Sequence, residues 1–139
     1  MRLLNINGRL VSKNIDKYRI KWDGPCRSDI QFNVKRFLYP FWRNFLCYEE
    51  FPVFGTKLKV DIINLSKKIA IEVQGPQHTN FNKFFHNNSR VNYLNSMKRD
   101  HKKLEWLELN SFKLIEIVKE DMDKLSPEYL FDLFKINIV

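Results

Sequence analysis

From Lys57 to His78 the chain sets two acidic residues inside two apolar strand patterns joined by a short connection. Asp61 lies within Leu58-Val60-Ile62, and Glu72 lies within Ile69-Ile71-Val73. Carboxylates are poor strand formers and costly to desolvate, so this placement restricts what the segment can become. Alternation predicts Glu72 and Gln74 on one face of their strand and Ile69, Ile71 and Val73 on the other. If Asn64 pairs with Ile69, Asp61 falls opposite Glu72, with Cβ atoms about 5 Å apart. Two carboxylates converging in this way suit a hard divalent cation such as Mg²⁺. On a half-exposed hairpin the same pair would merely be solvated. The near-continuous apolar pattern instead predicts a sheet covered on both faces.

The remainder of the chain predicts one α/β unit. Residues 2 to 6 and 17 to 22 alternate weakly, and Asn7-Gly8 is a turn signal, so a small β-hairpin region is expected there. Ser28 is placed as an N-cap with Gln31 in capping-box position, opening a helix that Pro40 ends or kinks near Phe41-Trp42. Residues 46 to 53 read as an edge strand because Pro52 has no N–H to give a ladder, and Glu50 on it either reaches the strand carboxylates or is a solvated edge carboxylate. Strands are expected over 57–64, 69–74 and 112–118. A helix is expected over 92–108, its apolar face marked by Leu94, Met97, Leu104 and Leu107 with His101. Asp100 falls near that stripe, either facing the strand carboxylates or paired with Lys103. Ser126-Pro127-Glu128 starts a last helix.

A net charge of +8 points to an anionic partner. Ten of the basic groups (Arg2, Arg9, Lys13, Lys17, Arg19, Lys21, Arg27, Lys35, Arg36, Arg43) fall in the first 43 residues against three aspartates. A basic rim around an acidic centre suits a phosphodiester substrate. Residues 77 to 90 interleave aromatic, amide and basic groups, among them Phe81, Asn82, Lys83 and Arg90, which can stack on bases and hold phosphates. The phenylalanines there could equally close the core. Only four glycines are present and no Gly-rich phosphate loop, which argues against a nucleotide-binding fold. The N-terminus has no signal-peptide pattern and no apolar run is long enough for a membrane span, so an intracellular protein is expected. Cys26 and Cys47 are expected as free thiols.

Asp61, then Glu72-x-Gln74, resembles the PD-(D/E)XK nuclease superfamily, in which an Asp on one strand precedes (D/E)-x-K on the next. Gly75 and His78, Arg99-Asp100 with Lys103, and the strand at Phe112 to Val118 narrow the resemblance to the branch of the very-short-patch-repair endonuclease and of phage homing endonucleases. The resemblance covers about residues 28 to 118. It implies a restriction-endonuclease-like core over 28–139, a mixed sheet flanked by helices, with residues 1–27 as a basic β extension. It implies a Mg²⁺- or Mn²⁺-dependent DNA endonuclease of homing type, or else a mismatch or junction nickase, or a DNA-binding module that kept the fold. Asp61 and Glu72 would hold the metal with the Val73 carbonyl. Gln74, where lysine is usual, would orient water without supplying charge. His78 would be general base or acid, with Asp100 fixing its tautomer, and Gln31 would stand where a helix glutamate often faces the site. Lys83, Arg90, Phe81, Asn82, Arg99 and Lys103 would contact double-stranded DNA, on which a homodimer is expected.

Overall fold

A computed structural model describes residues 1–26, 28–73 and 101–139. The elements in order are β1 (Arg2–Leu4), β2 (Leu10–Ser12), α1 (Asp29–Trp42), β3 (Cys47–Pro52), β4 (Lys59–Asn64), β5 (Ile69–Val73), helical residues 101–109 (α2), β6 (Lys113–Ile117) and α3 (Pro127–Phe134). Among the described residues, β3-β4-β5-β6 form a mixed four-stranded sheet and β1-β2 a separate antiparallel pair. β3, β4 and β5 run antiparallel, whereas β6 lies parallel to β5. The fold is therefore α/β, and no described helix is long and apolar enough to cross a membrane.

Each face of the sheet is covered. On one, Val34, Leu38 and Trp42 of α1 pack with Ile62, Ile69, Ile71, Ile115, Ile117, Leu130 and Ile138. On the other, Leu3, Ile15, Trp106 and Leu107 pack with Phe51, Val60, Ile63 and Ala70. Local signals place several boundaries as expected. Ser28 Oγ accepts from Gln31 N at 3.1 Å, and Ser126 caps α3 with Pro127 in its first turn. α1 continues through Pro40 and ends at Trp42. β3 is an edge strand, with Pro52 its last residue. Cys26 and Cys47 are free, and burial pushes the Cys47 thiol up to about 12.

Three expectations are corrected. Residues 17–22 do not form a strand: a 3-10 turn spans Asp16–Tyr18, and β1 pairs instead with Leu10–Ser12. The Asn5 carboxamide accepts from Asn7 N and Arg9 N, and Gly8 takes φ 82°, so the hairpin closes earlier than the alternation implied. In α2, Leu104 and His101 are exposed, and His101 bridges Glu105. The inward face is Trp106, Leu107 and the following Asn110, because Trp106 has more area to bury than any leucine. Trp106 Nε1 donates to the Leu4 carbonyl at 2.7 Å, while Leu4 N donates to Asn110 Oδ1 at 2.8 Å, stitching the hairpin to α2.

Lys35, counted above among groups for an anionic partner, is fully buried. Its ammonium pairs with Glu49 Oε1 at 2.9 Å and donates to the Lys21 carbonyl; Glu49 Oε2 accepts from Lys21 N. The network ties α1, the N-terminal segment and β3 together. Removing one member of a buried pair strands the other, so Lys35→Ala is expected to cost about 3 kcal/mol in urea unfolding. Replacing both partners, Lys35→Met with Glu49→Leu, should recover part of that loss.

Candidate functional site

The site grows from an irregularity in the sheet. β3 and β4 pair Tyr48 with Ile63, Glu49 with Ile62 and Phe51 with Val60, which leaves Glu50 and Asp61 across from each other. Tyr48 and Phe51 are three residues apart yet share one side of the core, as do Val60 and Ile63. Plain alternation would separate each pair. Both strands therefore turn over at the Glu50–Asp61 rung, and Glu50 takes a left-handed φ of 47° to do so. Such a conformation costs a non-glycine residue about 1 kcal/mol. The simple alternation expected through Leu58-Val60-Ile62 fails at this rung: Val60 and Ile62 face opposite cores.

The pairing of β4 with β5 follows the expected register, Asn64 with Ile69, Ile63 with Ala70 and Ile62 with Ile71. At the next rung, side chains take over from the backbone ladder. Asp61 N donates to Glu72 Oε2 at 3.1 Å, and Val73 N donates to Asp61 Oδ2 at 2.8 Å. The expected convergence of Asp61 and Glu72 is thus realised, with each carboxylate accepting a backbone N–H from the other strand. Glu72 is 7% exposed. Burial, followed by the charge of Glu72, raises the Asp61 carboxyl to about 7, against the opposing pull of the Val73 N–H and Lys103. A buried carboxylate and a half-buried one this close cannot both ionise cheaply.

Lys103, expected as a DNA contact or as a partner of Asp100, donates to Glu72 Oε1 at 2.7 Å. It reaches there because Trp106 and Leu107, three and four residues on, turn that side of α2 inward. Gln31 is buried, and its side-chain amide donates to Glu50 Oε1 at 3.4 Å. Gln31 thus meets the site rung through Glu50. An open cleft of about 440 Å³ is lined by Glu50, Lys57, Leu58, Lys59, Asp61 and Lys103. Lys57 and Lys59 carry no signal in the sequence, and Glu50 reads there as a solvated edge carboxylate that could reach the site. A left-handed glutamate has no composition signal, but a helix face centred on Trp106 would have revealed Lys103.

Gln74, His78, Phe81, Asn82, Lys83, Arg90, Arg99 and Asp100 lie outside the described residues. Among the described residues, no three His, Cys, Asp or Glu side chains form a group that could hold a metal. The oxygen donors present nonetheless fit Mg²⁺, which commonly takes one or two carboxylates and fills its shell with water and substrate phosphate. The raised Asp61 carboxyl is the observation behind that fit, since a cation beside it would relieve the repulsion.

Over 92 residues the chain is 32% identical to uncharacterized protein 033L of Invertebrate iridescent virus 3, a match that takes in 66% of this chain. The chain spans somewhat under half, 45%, of that relative's length. No family model matches the chain, and no solved structure matches it.

Proposed function

We propose that the chain is a divalent-metal-dependent DNA endonuclease with a restriction-endonuclease-like core. The observation that carries this reading is the Asp61–Glu72 rung, where two carboxylates interlock through backbone N–H bonds beside a lysine-lined open cleft. A purely structural rung has no use for two carboxylates that repel each other. The mixed sheet with helices on both faces is the architecture implied by the nuclease resemblance, and it supports the same conclusion.

Asp61 and Glu72 would hold the cation, with the Val73 carbonyl as a further donor. When bound, a divalent cation supplies Lewis-acid polarisation of the phosphoryl oxygen and lowers the pKa of water. Lys103 provides the positive charge that Gln74 does not. Its ammonium pairs with Glu72 and fixes that carboxylate in direction. The same charge favours the anionic form of Asp61 and the added negative charge of a phosphoryl transition state. Gln74 and His78 would orient and deprotonate water. Since one site hydrolyses one strand, a double-strand break takes two copies or two successive encounters.

The test is incubation of the full chain with supercoiled, mismatched and branched DNA in Mg²⁺ or Mn²⁺, alongside a metal titration. Metal-dependent cleavage of any of the three supports the reading. Tight DNA binding with no cleavage and no metal uptake would leave a DNA-binding module in its place.

A further inference from the structure

The turn joining β3 to β4 is built more firmly than a connection requires. Val53 N donates to the Leu58 carbonyl at 2.9 Å, and Thr56 N donates to the Val53 carbonyl at 3.0 Å. Thr56 Oγ1 donates to the same Val53 carbonyl at 2.9 Å and accepts from Leu58 N at 3.0 Å. Val53 and Phe54 are buried beneath the turn, and Ile6 N donates to the Phe54 carbonyl. Gly55 has φ 91°, and a Cβ there would lie 3.1 Å from Ile6 Cγ2, so the N-terminal hairpin presses directly against it. On this braced turn and at the first residue of β4 stand Lys57 and Lys59, both exposed and both lining the cleft that contains Asp61.

Two residues apart, their backbones are separated by at most about 7 Å, and each stem can swing toward its own anion. With Lys103 they bring three ammonium groups to a cleft whose lining carboxylates are Glu50 and Asp61. An enclosed pocket would suit a small phosphate; this cleft is open, and Lys57 and Lys59 line it with Glu50 and Asp61. We infer that Lys57 and Lys59 form a phosphate-docking point that holds the backbone of the nucleic-acid strand entering the Asp61–Glu72 rung. The ligand class is a polyanionic sugar-phosphate chain, engaged without regard to base sequence. A braced turn suits the task because little ordering entropy remains to be lost on binding. The inference rests on the nuclease reading for its strand, but not on catalysis.

The experiment measures affinity of Asp61→Asn full-length protein for a labelled duplex at several salt concentrations, without divalent metal. Adding Lys57→Ala and Lys59→Ala should weaken binding at least tenfold at low salt and flatten the log K against log salt slope by about 1.8, the release of counterions from two phosphates. Lys57→Arg with Lys59→Arg should keep the slope. Removing two exposed lysines elsewhere, Lys119→Ala with Lys124→Ala, should change it by less than about 0.3. An unchanged slope in the turn variant, an equal loss in the control, or no duplex binding at all overturns the inference. Lysine-dependent binding, when the native chain with Asp61 intact cleaves no substrate in Mg²⁺ or Mn²⁺, would retain the docking point and discard the nuclease. Cleavage with an unaltered slope would do the reverse.

Discussion

Asp61→Asn is expected to eliminate detectable metal-dependent cleavage while the protein stays folded and continues to bind DNA. Asparagine keeps an oxygen that can accept from Val73 N, so the rung closes, but the anionic metal donor is gone. Stability should hold or rise. The wild-type Asp61 carboxyl has a folded pKa of about 7 against 3.8 unfolded, so the folded state carries the extra proton between these values. Where the folded state binds more protons, stability falls as pH rises. The wild type should therefore lose stability between about pH 4 and pH 7, by at most about 3 kcal/mol after allowing for partial solvent screening. Asp61→Asn should lack this component. Mg²⁺ should restore the wild type near pH 7 and leave the variant unchanged, because only a ligand of the native state stabilises it. Urea unfolding at a series of pH values, with and without Mg²⁺, reads both effects. Full cleavage by Asp61→Asn would remove the metal-site assignment.

Lys103→Met should produce the second large effect, on stability and on rate together. It strands the Glu72 carboxylate beside Asp61 with its ammonium partner gone. Breaking a fully buried pair costs about 3–5 kcal/mol, and the Lys103 side chain retains some solvent contact, so a loss of about 2 kcal/mol is expected. Cleavage should fall about 10²- to 10³-fold, as when one preorganised electrostatic group is withdrawn from a developing anion. Without Lys103 the Asp61 carboxyl moves further up, so the acid limb of the rate profile should shift to higher pH. Gln74→Lys in the same protein should restore activity if the missing charge is what matters. Gln74→Ala in the otherwise native chain should lose about 10²-fold, as befits a group that only positions water. A Lys103→Met enzyme with an unshifted profile and native rate would reduce Lys103 to a surface ion pair.

Much of the frame could be read before the structure. Ser28, Ser126-Pro127 and Pro52 work through local backbone chemistry, which is why the α1 cap, the α3 start and the edge strand came out where expected. The Asn64–Ile69 register enters the sequence reading only as a condition; the sheet adopts it, and it brings Asp61 to Glu72. What escaped reading depends on distant packing. Nothing local tells Glu50 to adopt a left-handed φ; that follows from two strands turning over together between two cores. Of the α2 stripe, Leu94 and Met97 lie outside the described residues and Leu107 is buried as expected, but Leu104 and His101 are exposed because Trp106 takes the space beside Phe51 and Phe54. Lys35 was counted by its charge, whereas its burial arises from Glu49 and the Lys21 backbone, neither adjacent in sequence.

The stitching of the first hairpin to α2 has a bearing on where harmful mutations will be found. Asn110 receives Leu4 N and returns two bonds, to the Leu4 and Trp106 carbonyls, without reaching the cleft itself. α2 is also the element that aims Lys103. In an unbiased screen for loss of activity, Asn110 substitutions, and Leu4→Pro among those of Leu4, whose part in the stitching is main-chain only, should thus be hit as often as residues of the cleft wall. Their variants should remain folded and metal-competent but show the displaced pH profile of a misaimed lysine. A catalogue of such hits would trace a lever running from the first strand of the chain to its candidate chemistry.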